Sequence, residues 1–258
     1  MLIGAQLFTL RDACQTLEGL DDTLKRVAGM GMTTVQLSGV CAYEPEWMAE
    51  KLKAYGLSAP ITHFAYDRIT GDPAATLKFH QTMGTPYIGI GIMPLDIIQN
   101  ITQENLNKFL DTIRPAVDCF AAAGSKFMYH NHWHELGKIA DRYILDIICE
   151  AFPADRLGIT ADVYWMQHAG EDPVAWLHKL KGRTDCVHFK DMVKDAEGKN
   201  KMVANGEGTE MDYPAILKAC VDTGVKYGFI EQDDCGGEDP FECMKRSFAY
   251  FKAQGFEG

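Results

Sequence analysis

Eight times along this sequence a short run of β-branched or aromatic residues, closed by Gly, Pro or Asp, gives way to a longer stretch of helical periodicity. That alternation is the pattern of parallel β/α units. The strand candidates are Leu2–Phe8, Thr33–Leu37, Leu57–Phe64, Tyr87–Ile90, Lys126–His130, Leu157–Asp162, Cys186–Lys190 and Gly228–Glu231. Between them, Leu17–Met30 sets Leu17, Leu20, Leu24 and Val27 at three-to-four-residue steps and meets stop signals at Gly29 and Gly31. The helical pattern Leu106–Ala123 ends at Gly124, and Tyr213–Thr223 ends at Gly224, each just before a strand.

A chain of 258 residues matches the roughly 250 typical of an eight-fold β/α barrel. The expected fold class is therefore α/β, a (β/α)8 TIM barrel. No Pro/Ser-rich linker, low-complexity tract or charge block divides the chain, so residues 1–258 read as one catalytic domain. A doubly wound open sheet would carry G-x-G-x-x-G after its first strand, and here that strand runs on as Q-L-F-T-L-R-D. Two connections are longer than the rest, Met93–Thr102 and Met192–Met211; the second is polar and glycine-rich and reads as a mobile lid.

The formal net charge of −11 disfavours nucleic acid, whose phosphates are held by clustered Lys and Arg, and points to a small neutral ligand. The eight cysteines are scattered without a C-x-x-C pair, as expected of reduced thiols in a cytoplasmic protein. The N-terminus has no export pattern and no run of eighteen apolar residues occurs, so no membrane association is expected.

In a barrel the C-terminal ends of all strands face one shared mouth, so polar residues there gather in space. Strand five ends in Y-H-N-H-W-H-E, strand six in T-A-D-V-Y-W, strand seven in V-H-F-K-D and strand eight in F-I-E-Q-D-D. Each delivers a potential metal ligand: His130 or His132, Asp162, His188 and Glu231. That mixed nitrogen and oxygen set suits manganese, zinc, cobalt or iron without choosing among them. Alternation along a strand points His130 and His132 one way and Asn131 the other. His80 and His178 read as surface or packing residues, and His168 as a candidate for the pocket rim.

With G-A-Q-L-F-T-L-R-D at the start, L-G-I-T-A-D-V-Y-W, V-H-F-K-D, the G-x-G-x-x-x-D-Y stretch Gly206–Tyr213 and the closing F-I-E-Q-D, the chain resembles the sugar phosphate isomerase/epimerase group of the xylose isomerase-like TIM barrels, which includes inosose dehydratases. The likeness covers nearly the whole chain. In that superfamily Glu, Asp, His and Glu from strands five to eight hold a metal, and the resemblance places the last three at Asp162, His188 and Glu231. His130 stands at the position of the first glutamate, so the fourth ligand is His130, His132 or Glu135. Dimers and tetramers are common in such families, which makes a homo-oligomer an expectation here.

The resemblance implies proton abstraction next to a carbonyl of a sugar or keto-sugar, with metal charge stabilising the developing enediolate. Glu231 is then ligand and candidate base, and His63, His132 and Lys190 contact sugar oxygens or transfer protons. Lys190 has a second reading, as an ion pair with Asp191 or a strand-eight carboxylate. Trp133 and Trp165 offer aromatic faces to a sugar ring, or pack helix against barrel. Three functions stay open: an isomerase or epimerase of a free or phosphorylated sugar, a lyase acting on a keto-inositol or 3-keto-glycoside, and a non-catalytic sugar-binding subunit.

Overall fold

The computed structural model describes residues 1–258. Eight parallel strands close on themselves: β1 (Leu2–Gln6), β2 (Thr34–Leu37), β3 (Ser58–His63), β4 (Tyr87–Ile90), β5 (Lys126–His130), β6 (Leu157–Asp162), β7 (Cys186–Phe189) and β8 (Tyr227–Ile230). Each pairs with its sequence neighbours, and β1 meets β8 with Leu2 beside Tyr227 and Ala5 beside Ile230. The expected (β/α)8 barrel is the fold.

The helices form where the sequence supplies both a cap and a stop. Thr16 Oγ1 accepts from Gly19 N at the head of Leu17–Gly29, which buries Leu20, Leu24 and Val27. Asp212 accepts from Ala215 N at the head of Tyr213–Thr223, and Gly224 ends that helix at φ +83°, a conformation glycine adopts without strain. No helix is long and apolar enough to cross a membrane.

Inside the barrel, Ile61, Tyr87, Met128, Cys186 and Phe229 form an apolar plug separate from the main core between strands and helices. Side chains on a strand alternate, so the next inward residue lies two positions on, nearer the mouth. The plug residues Ile61, Met128, Cys186 and Phe229 are thus followed by His63, His130, His188 and Glu231. On β6 the plug layer is Gly158, where a Cβ would lie 2.6 Å from Met128 Sδ and 2.9 Å from the Arg183 carbonyl, and Asp162 stands two steps beyond Thr160.

Two segments depart from the sequence expectation. β1 stops at Gln6, because the Gln6 side chain accepts from Phe8 N and turns Leu7–Cys14 into a 3-10 helix. The connection Met192–Met211 is not an open loop: Asp191–Lys194 pairs antiparallel with Asn200–Val203. The Asp191 carboxylate then accepts from Gly206 N at 2.9 Å and Gly208 N at 3.1 Å, and a Cβ on Gly208 would collide with it at 1.8 Å. The glycines of the G-x-G-x-x-x-D-Y stretch therefore clamp this hairpin to the end of β7.

At the opposite end of the barrel Asp185 takes Lys126 Nζ at 2.7 Å and Lys226 Nζ at 2.8 Å. Burial pushes its carboxyl up, but the two lysines outweigh this and hold it below the ordinary 3.8. A carboxylate with a lowered folded value stabilises above its ordinary value and loses that contribution as pH falls through the folded one. Asp185→Asn is expected to cost about 1–3 kcal/mol at neutral pH. Urea unfolding across the acid range should show the gap to the wild type closing; a gap independent of pH would remove the ion pair as its cause.

Candidate metal centre

His130, Asp162, His188 and Glu231, from the ends of four successive strands, bring one ligand atom each to within 4.8 Å of one another. All four are buried, Asp162 and His188 completely. The imidazoles are oriented from behind. His130 Nδ1 donates to the Gly91 carbonyl at 2.8 Å, and Nε2 lies 3.2 Å from Asp162 Oδ2. Burial lowers the pKa of this imidazole, but the Asp162 carboxylate outweighs it and raises the pKa above its ordinary value; a cation arriving at Nε2 would displace that proton. His188 Nε2 donates at 2.7 Å to the Gln36 amide, oriented oxygen-first, which leaves Nδ1 as the acceptor.

That Nδ1 lies 2.8 Å from Glu231 Oε2, and both atoms are buried without a well-aligned hydrogen bond, the carboxylate oxygen being left to ion pairing. Two imidazole nitrogens and two carboxylate oxygens therefore converge on one point, an arrangement stabilised by protons, by the neighbouring Lys190 ammonium or by a bound cation. Two nitrogens and two carboxylate oxygens fit a divalent transition metal. The residues present thus fit the expected ion, with His130 meeting the other three ligands. Asn131 faces away from the point, as alternation predicts, and fixes it from behind: its Oδ1 accepts from Asp162 N at 2.9 Å.

Lys190 enters the same cluster. Its buried Nζ sits 3.1 Å from Asp162 Oδ2, 3.1 Å from Glu231 Oε2 and 2.8 Å from Asp233 Oδ2. Of the two sequence readings, its ion pairing with a strand-eight carboxylate is present; Asp191 is engaged by the hairpin instead. Three carboxylates against one ammonium leave a formal charge of −2, which a divalent cation balances. Burial pushes the carboxyls of Asp162 and Glu231 up, but Lys190 and the histidines outweigh it and hold both below their ordinary range. Asp233 goes the other way, raised to about 6 by burial and by the neighbouring Glu231 charge.

A cavity of about 230 Å3 opens beside this cluster, lined by Phe8, Ser38, His63, Gly91, Ile92, His130, His132, Lys190, Glu231 and Asp233. Of the residues singled out from sequence, His63, His132 and Lys190 reach it. Burial, reinforced by the other histidines, holds His63 well below its ordinary value and His132 at about 2, so both are neutral. His63 Nε2 is buried without a partner.

Three others do not line it. Glu135 is fully buried in its own loop, where it accepts from Tyr129 Oη at 2.6 Å and from His132 N at 2.8 Å. Trp133 and Trp165 pack on each other beside the mouth, at 4.8 Å between ring centroids, with Trp133 45% exposed. Sequence reasoning missed Gln36 and Asp233. The first is uncharged and its partner is 152 positions away; the second is one of two adjacent aspartates that sequence does not distinguish.

The family model of the xylose isomerase-like TIM barrel matches residues 24–234. An inosose dehydratase of Geobacillus kaustophilus (strain HTA426) is 23% identical over 195 residues, 68% of this chain and 63% of that protein, so the match spans less than two thirds of that relative's length. Among solved structures, a sugar phosphate isomerase/epimerase from Parabacteroides distasonis ATCC 8503 has a TM-score of 0.82 at 19% identity, covering 99% of this chain and 95% of that one. The IOLI protein, solved with a zinc atom, has a TM-score of 0.74 at 15% identity, covering 99% of each chain. At these identities the structural likeness speaks for the fold.

Gln36 provides a test of the orientation argument. Replacing the partner that fixes a metal-binding histidine usually costs 10–100-fold in affinity. Gln36→Leu is expected to weaken manganese or zinc binding by roughly that factor in a chelator-competition titration, with the fold intact by circular dichroism. Unchanged affinity would mean that His188 needs no support from β2.

Proposed function

Because the chain belongs to the xylose isomerase-like TIM barrel family, we propose that it is a divalent-metal-dependent isomerase or epimerase of a small sugar or keto-sugar, working as one barrel over residues 1–258 by proton abstraction next to a carbonyl. The observation that carries this reading is the convergence of two buried imidazole nitrogens and two buried carboxylate oxygens beside a cavity lined by further acid–base groups. When bound there, a divalent cation supplies positive charge that polarises a substrate oxygen and makes the adjacent C–H more acidic.

The residues divide the remaining work by position. His130, Asp162, His188 and Glu231 hold the ion, and Gly91 and Gln36 keep the imidazoles turned toward it. Lys190 offers its ammonium protons to a substrate hydroxyl from between the carboxylates. Asp233, raised to about 6, is close enough to neutrality both to take a proton and to return it. His63, held neutral by burial with Nε2 free, offers a second proton-transfer group from β3. Groups on two strands well apart around one cavity suit the removal of a proton and its return at another carbon or face.

A lyase is the second reading, and His130 is the observation that favours it. With imidazole at the strand-five position, both carboxylates that line the cavity, Glu231 and Asp233, come from β8 and the loop after it. A base on one side suffices when a β-leaving group departs, and the relative from Geobacillus kaustophilus is an inosose dehydratase.

Elemental analysis of purified protein is expected to find near-stoichiometric metal in the wild type and little in Asp162→Ala and His188→Ala. The loaded enzyme, incubated in deuterated water with ketohexoses and keto-inositols, should incorporate deuterium next to the carbonyl; loss of water alongside it selects the lyase. Wild-type protein that stays metal-free after reconstitution with manganese, zinc and cobalt would sink the metal-dependent reading.

A further inference from the structure

The central cavity is not alone at the mouth. A second hollow, of about 250 Å3, lies over the ends of β2 and β3 and shares Ser38 and His63 with it. Those two side chains, with Ser38 Oγ 3.3 Å from His63 Nδ1, form the threshold between them. Each hollow alone is below the roughly 300–1,000 Å3 of ordinary small-molecule sites, and the two joined fall within it.

Their walls differ in chemistry. The central cavity carries Glu231, Asp233, Lys190 and histidines beside the metal centre. The second is walled by Tyr43, Phe64 and Phe79, packed at 5.2–5.6 Å between ring centroids, together with Leu37, Val40 and Cys41; no acidic residue lines it. Its one cation, Arg68, stacks 4.4 Å from the Phe64 ring centroid and 5.3 Å from that of Phe79. The Arg68 guanidinium has no carboxylate within 4.0 Å, so its donors remain available while the two rings hold it in place.

We infer that this hollow seats a flat, aromatic substituent carried by the sugar, so that the substrate class is an unphosphorylated sugar bearing an aryl group. The inference rests on the proposed metal-dependent sugar site. The reacting carbons lie against the centre on β5–β8, and the substituent passes the Ser38–His63 threshold to lie among Tyr43, Phe64 and Phe79, with any phenolic or carboxylate oxygen facing Arg68. A phosphate is the poorer fit. Phosphate sites gather several converging donors, whereas the second hollow offers one guanidinium stacked on rings, and Lys190 in the first is already held by three carboxylates.

Binding of methyl and phenyl β-D-glucoside, and of glucose 6-phosphate, to the zinc-loaded full chain, zinc being diamagnetic, tests this by saturation-transfer NMR and titration. The phenyl glucoside is expected to bind at least about tenfold more tightly than the methyl glucoside, with the strongest transfer on its ring protons. Arg68→Ala, at an exposed position without an ion pair, and Phe79→Leu should each shrink that ratio toward unity with metal content unchanged. Equal affinities for the two glucosides would overturn the inference while leaving the sugar site standing. So would a preference for glucose 6-phosphate that Arg68→Ala abolishes, since the hollow would then be a phosphate subsite. If neither glucoside binds while a ketohexose or keto-inositol does, the inference falls and the sugar site stands; if none of them binds, the sugar reading beneath the inference falls with it.

Discussion

The structure depends on the confinement of like charge at the barrel mouth. Asp162, Glu231 and Asp233 crowd around one ammonium in a place water hardly reaches, and two imidazoles turn ring nitrogens toward the same carboxylate oxygens. Isolated buried charges of this kind are strongly unfavourable, so the arrangement is held by what surrounds it. The Gly91 carbonyl, Gln36 and Asn131 fix the ligands from β4, β2 and β5, and the apolar plug beneath prevents their sinking into the barrel. A cluster held in this way is stabilised by added positive charge, which is what makes it a candidate metal centre.

The plug explains why the centre sits where it does. A closed parallel barrel gives each strand one inward position per two-residue repeat of the pleat, so successive inward positions supply first a packing side chain and then a polar one at the mouth. Met128 and His130, Cys186 and His188, Phe229 and Glu231 are three instances of the same step. Glycine at 158 keeps the plug level on β6, where any side chain would press on Met128 and lift the layer that carries Asp162. The ion network around Asp185 then closes the far end. Stability and chemistry are thus assigned to opposite ends of the same strands.

This division also decides what could be read in advance. The alternation of strands and helices survives in the sequence because both elements are defined by local periodicity, and seven of the eight strands lie within one residue of their expected ends. The ligands were legible because each closes an apolar run. Strand one overran because Leu7, Phe8 and Leu10 continue an apolar pattern, while a local bond from Gln6 to Phe8 N turns the chain. Glu135 looked like a spare ligand because its carboxylate has the right chemistry; the 3-10 turn His134–Leu136 directs it to Tyr129 instead. Gln36 was invisible for the converse reason, since an uncharged amide within a strand carries no signal of the histidine it meets across the barrel.

His130 in the place where relatives are expected to carry glutamate changes the electrostatics more than the geometry. Metal binding requires both imidazoles neutral, and the three carboxylates and Lys190 then carry −2, so a bound divalent ion would bring the cluster to neutrality. A fourth carboxylate would leave it at −1. Two unit charges about 4 Å apart at an effective dielectric of 20 interact by roughly 4 kcal/mol. Negative charge developing on a substrate oxygen beside the centre is therefore easier to accommodate by an amount of that order, and each 1.4 kcal/mol is about tenfold in rate. The exchange gives up a carboxylate that would shuttle protons and gains a centre better able to hold an anion. Under the proposed function, that trade would favour chemistry in which forming the anion is the hard step and Asp233, His63 and Lys190 direct its onward fate.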